Sequence, residues 1–145
     1  LMGVLALGMS CSYRMGRGLP TDPTLTIGNV QAASSIQGAE QVIAGAFARE
    51  LARRSGNGME QPVDLQVLFL EDRPTASASQ QSRIRMALVL SARAGDPIEV
   101  AGTRVYAGSA EAMKNSRRRD QALNSLTTEL VQEGLPQLLM TQQER

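Results

Sequence analysis

Residues 83–93 read RIRMALVLSAR. Ile84, Met86, Leu88, Leu90 and Ala92 alternate with Arg83, Arg85, Ala87, Val89, Ser91 and Arg93. Successive side chains of extended backbone point to opposite faces, so a period of two with one apolar set predicts a strand with one buried face. Turn chemistry brackets it: polar TASASQQS (75–82) before, AGDP (94–97) after. Upstream, PVDLQVLFLEDRP (62–74) predicts a strand entered at Pro62 and closed at Pro74. Strict alternation there puts Leu65, Val67 and Phe69 on one face and Leu68 and Leu70 on the other. Downstream, IEVAGTRVYAGS (98–109) predicts the third strand of a meander. Ile98 and Val100 are out of phase with Val105 and Ala107, and Gly102 is the natural place for a bulge to correct the phase.

A meander with an apolar face needs a cover. SSIQGAEQVIAGAFARELARRSGNG (34–58) supplies the clearest helix: Ile43, Phe47 and Leu51 recur every four residues, and Val42 and Ala46 widen the stripe. Arg53 and Arg54 suit the negative end of the helix dipole, and Gly56 and Gly58 stop it. A second helix is expected from about Ser109 to Glu133, carried by Leu123, Leu126, Leu130 and Val131. Gly134 and Pro136 should interrupt it, because proline removes a helical hydrogen bond, leaving a weaker turn from Leu135 to Met140. Ahead of both helices TLTIGNVQAA (24–33) alternates Leu25 and Ile27 with threonines, a short strand bent at Gly28.

The order β-α-β-β-β-α predicts an α+β two-layer sandwich, with one four-stranded mixed sheet and two helices on one face. The 145-residue chain reads as one such domain over residues 24–140, with a tail at 141–145. Aromatics make up only 3% and there is no Trp, so the core is built from aliphatic residues and Met.

Composition also narrows the chemistry. No histidine is present, which removes the commonest general base and metal ligand and every Ser-His or Cys-His nucleophile. One cysteine allows no internal disulfide and no thiolate cluster. A net charge of +1 argues against a general nucleic-acid binder. Neither a cofactor nor a metal is expected. An enzyme would have to draw on Asp64, Glu71 and Asp72, which lack a base partner and read better as solvated strand residues. The chain is expected not to be an enzyme.

The cysteine is Cys11, inside LMGVLALGMSCSYRMGRG (1–18). Leu1–Ser10 is apolar or small throughout and too short for a membrane span of about 20 residues. It has the character of the end of a signal peptide. Leu7, Gly8, Met9 and Ser10 resemble a lipobox, with a small residue before the cysteine and an aliphatic one upstream. Residues 1–10 are therefore expected to be a partial lipoprotein signal, and residues 11–23, rich in Gly and Pro, a lipidated N-terminus and tether. Acyl chains on Cys11 would exceed the roughly two signals that stable anchoring needs.

Cys11, Tyr13, Arg14 and Gly16, then Leu19 and Pro20 before the first strand, and TELVQEGLPQLL (128–139) resemble the lipopolysaccharide-assembly lipoprotein family (LptE-like). Ser12 stands where that family usually has Gly, and the strand after the tether lacks its aromatic-x-Asn signature. The resemblance implies an outer-membrane, lipid-anchored protein on the periplasmic side of a Gram-negative envelope. Such a protein plugs and helps assemble the β-barrel translocon that inserts lipopolysaccharide; its partners are that barrel, lipopolysaccharide and the membrane. The residues agree in kind: Arg83, Arg85 and Arg93 share one strand face, and Arg104 on the next strand is expected to join them. Guanidiniums in a cluster donate paired hydrogen bonds to phosphate oxygens. Arg117, Arg118 and Arg119 read as a solvated helix face. The alternative is a periplasmic lipoprotein that binds and regulates a cell-wall enzyme or a secretion pore.

Overall fold

The computed structural model of the protein describes residues 22–32, 34–75 and 81–143. Its elements are β1 (Thr24–Gln31), α1 (Ala39–Arg54), β2 (Glu60–Pro74), β3 (Gln81–Ala92), β4 (Ile98–Ala107) and α2 (Ala112–Gln143). The four strands form one sheet in sequence order. β1 runs parallel to β2, while β2, β3 and β4 are a true antiparallel meander. Both helices cover the same face, so the molecule is the mixed-sheet α+β sandwich that the β-α-β-β-β-α order predicts. The proposed signal and tether fall almost wholly on residues 1–21, outside the described residues, as does the tip of the 75–82 turn.

β3 behaves as its alternation predicts: Ile84, Met86, Leu88 and Leu90 are fully buried against the helices. Its neighbours depart from strict expectation. β4 has no bulge at Gly102; its register with β3 runs unbroken from Ala107 to Ile98. Parity therefore carries straight through, placing Val100, Gly102, Arg104 and Tyr106 beneath the helices and leaving Val105 outside. Gly102 serves a different purpose. A Cβ there would lie 3.2 Å from both Leu126 Cδ1 and Leu130 Cδ2, so glycine lets α2 settle close onto the sheet. The bulge that does exist lies in β2, where the register slips between Val67 and Phe69. The extra residue turns Phe69 to the open face, opposite Ala87, and returns Leu70 to the covered one, opposite Met86. β1 is bent at Gly28 as expected, with a register shift between Ile27 and Val30. The Asn29 amide donates to Asp64 Oδ1 at 2.8 Å, and a Cβ on Gly28 would come within 2.0 Å of that same oxygen.

α1 buries Ile43, Phe47 and Leu51 and ends where a clasp begins. Thr24 Oγ1 donates to the Gly56 and Gly58 carbonyls at 3.1 and 2.8 Å. The Gly56 and Gly58 amides donate in turn to Pro23 and Asp22 oxygens, and the Thr24 amide to Met59. α2 does not stop at Pro136 but continues to Gln143. Leu135 and Leu138, beside and beyond the proline, are fully buried. Two such leucines contribute about 3–6 kcal/mol, enough to outweigh a proline cost of about 3 kcal/mol. Gly134 is likewise a close-approach residue, since its Cβ would come 2.9 Å from Leu90 Cδ1. Between the helices, buried Glu50 accepts from Arg53 Nη2 at 2.9 Å and from Gln132 Nε2 at 3.2 Å, and Arg49 bonds Asn124.

Candidate anion-binding face

With the helices on one side, the outward residues of β2, β3 and β4 form an open face ordered in rows by the register. From the β2–β3 turn downward these are Arg73–Arg83–Val105, Glu71–Arg85–Thr103, Phe69–Ala87–Ala101, Gln66–Val89–Glu99 and Asp64–Ser91. The top of the face carries three guanidiniums and one carboxylate. Arg73 and Arg83 lie directly opposite each other, an arrangement of like charges that destabilises a sheet unless a counter-charge is supplied. Glu71 supplies part of it, at 3.8 Å from Arg73 and 3.7 Å from Arg85. Arg83 has no ion-pair partner among the described residues. Together with Pro74 and Thr75 these side chains line a cleft of ≈ 340 Å³. Directly below, Arg85 lies over the Phe69 ring at 5.8 Å from its centroid. Leu68, Phe69 and Val105 are 45%, 40% and 45% exposed, so the cationic cleft opens onto apolar surface.

Of the arginines singled out from the sequence, Arg83 and Arg85 meet on this face. Arg93 does not join them: β3 ends at Ala92, and Arg93 sits in the following bend, eight residues or about 26 Å of strand from Arg85. Arg104 is on the covered side, where its Nη2 donates to Glu129 of α2 at 2.8 Å. The missing bulge at Gly102 is the cause, because an unbroken strand keeps residue 104 in phase with residue 100. Cys11 lies outside the described residues. Arg73 and Phe69 complete the site and were not singled out from the sequence. Arg73 could have been found by pairing back from the turn; Phe69 could not, since its facing depends on a bulge with no local marker.

Asp64, Glu71 and Asp72, the three carboxylates singled out from the sequence, do not converge. Asp64 and Glu71 face outward at opposite ends of β2, while Asp72 faces inward and accepts from Tyr106. Arg118 donates to the Ala107 and Gly108 carbonyls and Arg119 to that of Gln37, so two members of the basic run tie α2 to its surroundings. A second concavity, a groove of ≈ 940 Å³, runs between α1 and the first half of α2 over Val42, Gly45, Met113 and Arg117. Among the described residues no helix is long and apolar enough to cross a membrane, and no cluster of potential metal ligands forms.

A two-layer sandwich whose second sheet face is partly cationic and, among the described residues, carries no helix defines the class of architecture. No protein-family model matches the chain, and no curated protein sequence matches it. Among solved structures, a protein described as a lipoprotein from Caulobacter crescentus CB15 superposes with a TM-score of 0.53 at 11% identity, over 72% of this chain and 82% of its own. That likeness is one of fold. A minor lipoprotein from Acinetobacter baumannii (10% identity, 78% and 90% covered) and a Xanthomonas campestris protein of family DUF330 (18% identity, 86% and 84% covered) each give 0.44.

Proposed function

We propose that the chain is a non-catalytic lipoprotein of the Gram-negative envelope. In this reading it is anchored through Cys11 to the outer membrane on the periplasmic side, and its open sheet face binds lipopolysaccharide for a β-barrel translocon that it plugs and helps assemble. The observation that carries the reading is the cleft of Arg73, Arg83 and Arg85 with a single carboxylate, opening onto Phe69 and Leu68. Phosphate oxygens supply the counter-charge that the Arg73–Arg83 pair lacks, and guanidinium forks bind them in paired geometry. Apolar surface beside the cleft suits the acyl end of the same molecule. The shared fold with a Caulobacter protein described as a lipoprotein supports the envelope setting.

Binding to vesicles carrying lipopolysaccharide tests it. With Cys11→Ala in both proteins, so that no acyl chain contributes, the triple variant Arg73→Ala, Arg83→Ala, Arg85→Ala should lose at least about tenfold in affinity, equivalent to roughly 1.4 kcal/mol, while neutral vesicles bind neither protein. Equal binding by wild type and variant would sink the lipopolysaccharide reading. The interhelical groove favours a second reading, docking onto a cell-wall enzyme or secretion pore. Recovery of a large outer-membrane barrel in a mild-detergent pull-down supports the first; recovery of peptidoglycan enzymes alone supports the second.

A further inference from the structure

The open face is charged in opposite senses at its two ends. Its top rows hold Arg73, Arg83 and Arg85 against Glu71; its bottom rows hold Glu99 and Asp64, with Glu60 further along β2 and a single cation, Arg93, in the bend just past β3. The middle row, Phe69–Ala87–Ala101, has no charge, and Ala87 is buried there with no helix above it among the described residues. Leu68 and Val89 extend the apolar band. Such a surface is complementary to its own reverse.

We infer that two copies of this chain pack open face to open face about a twofold axis through the middle row. Rows along a strand repeat every two residues, about 6.7 Å. Reversing five rows about the third therefore lays the first on the fifth and the second on the fourth. Arg73 then faces Asp64 of the second copy, and Arg85 comes within side-chain reach of the second copy's Glu99. The apolar middles meet each other. A twofold interface makes every such contact twice, which suits a face whose ends differ in sign. Sheets packed in this way form the inner layer of a sandwich about 10 Å thick. The four-strand face measures about 19 by 30 Å from strand spacing and rise. That is below the roughly 800 Å² per partner of a standard stable interface, so the dimer is weak and salt-sensitive. The inference rests on charge segregation and stands without the lipopolysaccharide reading. Where both hold, the second copy's carboxylates take the place of phosphate in the arginine cleft, and ligand separates the dimer.

Sedimentation of the full chain in mild non-ionic detergent, across a wide concentration range and without any lipid ligand, tests it. A monomer–dimer equilibrium weakened by salt is expected. Arg85→Glu and Glu99→Arg should each weaken it about tenfold, and the two combined should restore most of it, as coupling between contacting charges requires. Monomer at every concentration overturns the inference, as do assemblies larger than a dimer or a combined variant no better than either single one. If a single variant fails to fold by circular dichroism, the salt dependence of the wild type decides: an association indifferent to salt rejects the charge pairing. A chain that dimerises but ignores lipopolysaccharide vesicles keeps this inference and loses the ligand, and the reverse outcome does the opposite.

Discussion

Tyr106 and Asp72 meet across β3: the phenol of β4 donates to both carboxylate oxygens of the β2 aspartate, at 2.9 and 2.8 Å. Burial, then the hydrogen bond and the negative charge of Asp72, push the Tyr106 phenol up from 10.0 to about 12. The phenol titrates higher in the folded chain than in the unfolded one. Its contribution is therefore complete below pH 10 and is lost as pH climbs toward 12. Tyr106→Phe should lower stability at neutral pH by about 1–3 kcal/mol, because it leaves a half-buried carboxylate without its donor. The variant should also show a shallower fall in stability over that alkaline interval. Urea unfolding followed at neutral pH and through the interval reads both effects; an unchanged alkaline slope would mean that another group governs it. Nothing in the sequence marks this pair, because Asp72 and Tyr106 are 34 positions apart and meet only once the meander closes.

Among the elements, the facing of β3 was legible in the sequence, although the strand ends at Ala92 and leaves Arg93 in the bend beyond it. Its two flanking strands were not, for opposite reasons. β2 carries a bulge that no Gly or Pro announces, since a bulge is a property of a strand pair and not of one strand. β4 carries a glycine that reads as a bulge but answers to a helix packed above it. The misplacement of Arg104 follows directly from the second error. α2 shows the same limit: local propensity ends it before Pro136, while tertiary burial of Leu135 and Leu138 continues it to Gln143. Pro136→Ala should accordingly stabilise the protein, by about 1–3 kcal/mol, by restoring the bond that proline denies to the Gln132 carbonyl. Chemical denaturation checks this, and a loss of stability would show that the helix depends on a bend at that point.

Across the whole molecule, architecture could be read from the order of elements, because two helices and a meander have few ways to bury one apolar face. The candidate site was half legible: Arg83 and Arg85 follow from the parity of one strand, whereas Arg73 needs the register and Phe69 the bulge. Anchoring is tested at this scale too. If Cys11 carries the lipid, Cys11→Ala should leave the membrane fraction and remain unprocessed, as judged by fractionation and mass spectrometry. Retention of that variant in membranes would count strongly against the anchor.

The clasp that joins residues 22–24 to the loop after α1 has a mechanical meaning. A pull on the chain from upstream of Asp22 reaches the described residues there, at an edge strand. The first bonds to bear it are those from Gly58 to Asp22 and from Gly56 to Pro23, with Thr24 bound to three carbonyls just behind them. Load is thus shared among several short bonds before it reaches the β1–β2 ladder, and a tug would work on the loop 55–59 before it could peel the strand.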